Sequence, residues 1–342
     1  LLQKMEGAFA LALWDVENKA LHLMRDRMGA KPMYVTATPD AFAFASDYRA
    51  FKALKGFTPS INHEAAKCFL TRGHVIPPLA MWNNVVALPP ASRVMIKDGD
   101  ANISEPEIYW SVASVLEESA LRGRNADDTA RLDRQTAGVV AESIRLDVPF
   151  ALMDDYSAAS SMLRARIDYA SDKPFKTFGV NAPDGAALQT GFDTLSRLPE
   201  PVSDPMAPAW LAALKKVGGD AHVVMVATGL ARPSADSDSD IRVRRIIEKI
   251  PSFLRFIVPA KYAHLAQDAE KLYDEKAAHW IGLYDAPAIT EPHFDQSLAQ
   301  KVAFHEFYDG FTRGYMPSLD RIAGSLNLDL RAPLADARML DF

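Results

Sequence analysis

Cysteine is nearly missing from this chain of 342 residues: Cys68 is the single one. A lone thiol excludes a disulfide framework within the chain and fits a reducing compartment. Positive charge is in deficit, with 38 Lys and Arg against 44 Asp and Glu, a formal net charge of -6. A general nucleic-acid surface calls for a basic domain, so no nucleic-acid partner is expected. No apolar run reaches the ~18 residues of a membrane span, and residue 1 does not open a recognisable signal peptide. The eight histidines form no His-Glu-x-x-His pattern and no Cys-x-x-Cys accompanies them, so no metal ligand is assigned. The default expectation is a cytoplasmic protein without a membrane span.

What the chain does contain is apolar content of 49%, enough over this length for two packed domains of ordinary size. Ala8 to Trp14, Leu21 to Met24, Met33 to Thr36 and Ala41 to Ala45 are short apolar or alternating runs with turn residues between them. That spacing predicts successive antiparallel strands. Helical periodicity runs from Asp127 to Arg145. Thereafter strand Phe150–Met153, helix Ser157–Tyr169, strand Phe175–Val180, helix Ala207–Val217 and strand Ala221–Val226 alternate. Such alternation predicts a parallel sheet covered by helices, an α/β fold. The charged stretch Ser111 to Asn125 is the expected linker, giving domains 1–115 and 116–342, and after Asp240 the pattern is helical almost to the end.

Several fragments, taken in order, carry a family resemblance. Arg25-Asp26-Arg27-Met28-Gly29-Ala30-Lys31-Pro32-Met33-Tyr34 is similar to the Arg-Asp-x-x-Gly-x-x-Pro-Leu-Tyr hairpin of glutamine-hydrolysing asparagine synthetases, type B. Phe42 to Ser46, Leu88 to Arg93, Tyr109-Trp110 and Lys176 to Phe178 follow in the family's order, as do Glu200 to Pro205, Asp320-Arg321 and Leu330 to Asp336. The resemblance implies an amino-terminal glutaminase portion of the Ntn-hydrolase type. After it comes a synthetase domain of the adenine-nucleotide alpha-hydrolase type, in which ATP and Mg²⁺ activate a carboxylate and ammonia from glutamine forms the amide.

At the centre of that resemblance the residues change. After Asp147-Val148-Pro149 and a buried strand the family carries Ser-Gly-Gly-x-Asp-Ser-Ser, which wraps the ATP pyrophosphate. Here the first Ser corresponds to Asp155, the glycines to Tyr156 and Ser157, and the loop aspartate to Ala159, while Ser160 and Ser161 remain. A phosphate cradle needs backbone N–H groups close to the ligand and no adjoining carboxylate. Asp154 and Asp155 before the helix offer acceptors for the N–H groups a phosphate would use. Val226-Ala227-Thr228 and the residues after them stand where the family closes on pyrophosphate and Mg²⁺, but the acidic pair is replaced by Ala231-Arg232, removing the metal's carboxylates. The positions matching the ATP site are therefore Met153, Asp155, Tyr156, Ser157, Ala159, Ser160, Ser161, Val180, Val226, Ala227 and Thr228, and no bound cofactor or metal is expected.

The chain opens in what resembles the middle of the glutaminase domain, so its nucleophile is expected upstream, and it ends before the segment in which the family carries a catalytic lysine. No catalytic residue is assigned. Cys68, in an apolar helical stretch, is expected to be a buried inert thiol. Asp236 to Asp240 imitates an EF-hand start but has Ile241 where Gly is required and Ile247 where Glu is required. Arg242, Arg244, Arg245 and Lys249 fit the polar face of a surface helix. Three functions remain open: an active asparagine synthetase, a relative forming an amide within its substrate as β-lactam synthetases and lasso-peptide cyclases do, and a pseudoenzyme kept for a protein partner or for homo-oligomerisation. The changed loops favour the third.

Overall fold

Alternation in the first hundred residues builds two antiparallel sheets. β1 (Ala10–Asp15), β2 (Ala20–Arg25), β6 (Ser92–Lys97) and β7 (Glu107–Ile108) form one, in that order; β4 (Ala41–Ala45), β3 (Tyr34–Thr38) and β5 (Val85–Ala87) form the other. The computed structural model describes residues 2–39, 41–98, 104–112, 114–115, 127–181, 185–228 and 311–341. Leu23 and the paired Val94 point from the first sheet towards Met33, Val35 and Leu88, so the inward face of each strand supplies the core between the sheets. Helix α1 (His63–Arg72) starts at Asn62, whose side chain accepts from the N–H groups of Glu64 and Ala65, and it stops at Gly73 in the left-handed conformation. Cys68 is buried in it, as expected, with its thiol 3.4 Å from the carbonyl of His74.

The second half is a four-stranded parallel sheet in the order β9 (Lys176–Gly179), β8 (Phe150–Asp154), β10 (Val223–Val226), β11 (Asp329–Arg331). β8 and β10 are apolar almost throughout because both faces are covered. Phe150, Leu152, Val223 and Met225 face α2 (Asp128–Ser143) and α3 (Ala158–Ala170) through Val140, Leu163 and Ile167. Ala151, Met153, Val224 and Val226 face α5 (Ala207–Val217) and α6 (Met316–Gly324) through Trp210, Leu214, Leu319 and Ile322. A further helix, α4 (Gly185–Leu195), packs on α5. The fold is α/β, as the alternation predicts.

The expected parallel strands and their helices form with ends shifted by a residue or two. Of the stretch read as helical after Asp240, residues 241–310 lie outside the described residues; Met316–Gly324 is helical, and near the end Asp329–Arg331 joins the sheet beside β10. The acidic Asp236–Asp240 and basic Arg242–Lys249 segments, and most of the expected linker, lie outside the described residues. Among the described residues no helix is long and apolar enough to cross a membrane.

Candidate functional site

Strand order decides where a ligand can enter this sheet. From β8 the chain crosses to β9 on one side and later returns to β10 on the other, so the order reverses between β8 and β10. In open α/β sheets the crevice beyond the carboxyl ends of the strands at such a reversal is the preferred binding place. The sequence-derived positions converge there: Met153 and Val226 are paired neighbours at the strand ends, and the Val180 N–H donates to the Asp154 carbonyl at 2.8 Å. Met153, Val180, Val226 and Ala227 are buried and serve the sheet.

The loop between β8 and α3 is closed by its own side chains. Asp154 Oδ1 accepts from the Tyr156 N–H at 2.8 Å, and Asp155 Oδ1 from that of Ser157 at 3.1 Å. Ser157 is the N-cap of α3: its Oγ accepts from the Ser160 N–H at 3.1 Å. The Ser161 hydroxyl donates back to the Ser157 carbonyl at 3.2 Å, while Ala159 packs on the α2–α3 side of the sheet. Tyr156 has φ +61, a left-handed conformation that costs a bulky residue on the order of 1–3 kcal/mol. It is 64% exposed, and its phenol lies over the end of β9. A Cβ added to Gly179 would collide with the Tyr156 hydroxyl and lie 2.9 Å from Cζ. The Ser160 and Thr228 hydroxyls are buried without a hydrogen-bond partner. Gly229 to Arg232, the remainder of the second loop, lie outside the described residues, and among the described residues no cluster of His, Cys, Asp or Glu suits a metal ion.

A second concavity, of about 430 Å³, lies between the amino-terminal hairpin and the end of the parallel sheet. Glu6, Arg27, Lys31, Arg331 and Arg338 are among its lining residues. Several of its charges are paired: Arg338 pairs with Asp336, Glu142 and Glu6 at 2.8–2.9 Å. Lys31 Nζ lies 2.8 Å from Asp320 and 2.7 Å from Asp329. Burial opposes the Lys31 charge, but the two carboxylates outweigh it and raise its pKa. Burial works the same way against Asp329, yet the hydrogen bond from Lys31 leaves that carboxyl below its ordinary value. Asp320 is more deeply enclosed, and there burial dominates and raises it. Sequence periodicity gives no sign of this cavity, whose walls come from residues some 300 positions apart.

The hairpin Arg25–Tyr34 is held from within. Arg25 donates to the carbonyls of Lys31, Leu88 and Gly29 at 2.7, 2.5 and 2.6 Å. The Asp26 carboxylate accepts from the N–H groups of Phe9, Met28, Ala30 and Lys31. Gly29 has φ +62, and a Cβ there would stand 2.7 Å from Pro90 Cγ. Both acid and base of the Arg-Asp motif are thus spent on main-chain groups.

Residues 1–110 match the glutamine amidotransferase domain family, and the parallel α/β sheet follows that matched region in the chain. Over its amino-terminal part the chain is similar to glutamine-hydrolysing asparagine synthetases. It is 29% identical over 154 residues to a Mycobacterium bovis protein assigned as a glutamine-hydrolysing asparagine synthetase, covering 43% of this chain and 23% of that protein. It is 24% identical over 183 residues to asparagine synthetase 3 of Bacillus subtilis, covering 52% and 28%. The matched region thus spans about a quarter of those relatives. Among solved structures, the allosteric regulatory enzyme of purine biosynthesis aligns with 72% of this chain and 45% of its own at 13% identity and a TM-score of 0.20, which carries no argument.

Proposed function

We propose that this protein is an asparagine synthetase-like chain that no longer carries out ATP-dependent amide formation and is kept as a binding subunit in the cytoplasm, for a protein partner or a second copy of itself. The observation that carries the reading is the closed loop after β8. Its N–H groups are occupied by Asp154, Asp155 and Ser157, two carboxylates stand where a polyphosphate would lie, and Tyr156 fills the space over Gly179. Phosphate binding at a helix start depends on free N–H groups and absence of competing negative charge. The residues present therefore do not fit ATP with Mg²⁺.

Exposed apolar side chains support the binding role. β1 and β4 stand at the ends of their sheets among the described residues, and Leu13, Trp14 and Phe44 on them are exposed, with Val16 just beyond β1. Apolar side chains on open strand edges favour association. The competing reading, an active synthetase or a relative making an intramolecular amide, draws support from Ser160 and Thr228, whose unpartnered hydroxyls remain at the strand ends. Pyrophosphate release with aspartate, ammonia, ATP and Mg²⁺ separates the two. The proposal expects none above the protein-free background, and turnover that is lost on mutating Ser160 would overturn it.

A further inference from the structure

Two sequence motifs with no apparent connection meet in the structure. The hairpin supplies Lys31 and Tyr34, and α6, almost 300 residues later, supplies the adjacent Asp320 and Arg321. Lys31 Nζ bonds Asp320 and Asp329. One residue further along α6, Arg321 Nη1 lies 2.9 Å from Glu200 Oε2, and the Tyr34 hydroxyl donates to Glu200 Oε1 at 3.1 Å. Tyr48, edge-on to Tyr34 with ring centroids 5.0 Å apart, donates to the carbonyl of Pro199, which precedes Glu200. Glu200, Tyr34 and Tyr48 are all buried, and the Arg321 side chain is only 10% exposed. Ala30 of the hairpin packs into the α5–α6 core of the parallel sheet.

We propose that this cluster, with Glu200 as its centre, is a latch that joins the antiparallel sheets and the parallel sheet into one cooperative unit. Buried charges are tolerated only while every partner stays in place, and removal of one strands the other in a poorly solvating site. Glu200 is anchored in its own half by Arg321 on α6 and reaches across to the antiparallel half through Tyr34 on β3. Separation of the two halves would break the bonds of Tyr34 to Glu200 and of Tyr48 to the Pro199 carbonyl together with the Lys31 pairs to Asp320 and Asp329, so these crossings are lost as a set and opening one half weakens the other. The inference is independent of whether any nucleotide binds.

Hydrogen exchange followed by mass spectrometry, on the full chain in increasing urea, reads each half separately through peptides from β2 and β6 and from β8 and β10. The unaltered protein is expected to lose protection in both sets at one urea concentration. Glu200→Gln keeps the shape and removes the charge; it should split the two transitions, with protection in one set falling by about tenfold or more relative to the other, the size of one charge-assisted bond. Should that variant fail to fold, Tyr34→Phe removes only one hydrogen bond and should produce a smaller split of the same kind. Leu163→Ala, in the core behind α3 and away from the latch, should lower stability while the two sets still open together. Separate transitions in the unaltered protein, or coincident transitions in both latch variants, would overturn the proposal.

Discussion

Tyr156 is the residue on which the site turns. A tyrosine at φ +61 is strained, yet its N–H donates to Asp154, two residues earlier, and its phenol lies over a glycine that leaves room for it. Tyr156 and Gly179 therefore form a pair in which the absence of a Cβ on one accommodates the other. Gly179→Ala is expected to displace the phenol and destabilise the protein, whereas the same change in a Tyr156→Gly background should be nearly neutral. The coupling between the two, from thermal unfolding of all four proteins, is expected to reach at least about 0.5 kcal/mol. Additive effects would show that the ring does not occupy that space. Tyr156→Gly itself exchanges relief of strain for the chain entropy of glycine, on the order of 0.5–1 kcal/mol, and is expected to stay close to the parent in stability.

At the scale of elements, the hairpin Arg25–Tyr34 is built to be rigid, with the charges of Arg25 and Asp26 given to carbonyls and N–H groups of its own turn and of the strands beside it. Gly29→Val should cost about 1–2 kcal/mol for the left-handed backbone alone, and more for the contact with Pro90 at 2.7 Å. A melting temperature lowered by several degrees checks this, and an unchanged one would contradict it. The hairpin, the parallel strands β8, β9 and β10 and the helices α2, α3 and α5 were legible in the sequence because turn residues and apolar periodicity announce them locally, whereas α4 was not read from it. Strands β5, β7 and β11, of three, two and three residues, were not, since a strand that short carries no periodicity and is defined by the neighbour it pairs with. The capping role of Asp154 and Asp155 was readable from their place before the helix, although the N-cap itself is Ser157. The pairing of Lys31 with Asp320, and the cavity beside it, depend on tertiary packing that no local pattern records.

Over the whole molecule, the interface and the crevice have diverged in kind. Between the two sheet systems the family motifs are filled with partners: Asp320 and Arg321 reach back to Lys31, Tyr34 and Glu200. At the crevice between β8 and β10 the topology of a ligand site is kept, but its loop bonds to itself. Under the proposed function, such a fold would bind through its surface, and the exposed Leu13, Trp14 and Phe44 are the apolar area that the proposal assigns to it. The most direct measurement of the closed crevice is a calorimetric titration of the chain with ATP and Mg²⁺, backed by melting temperature with and without the nucleotide. The predicted result is no binding heat and no stabilisation at millimolar ATP. A dissociation constant near 10 μM would instead raise stability by about 2.7 kcal/mol at a hundredfold excess of nucleotide over that constant, and such a shift would contradict the account.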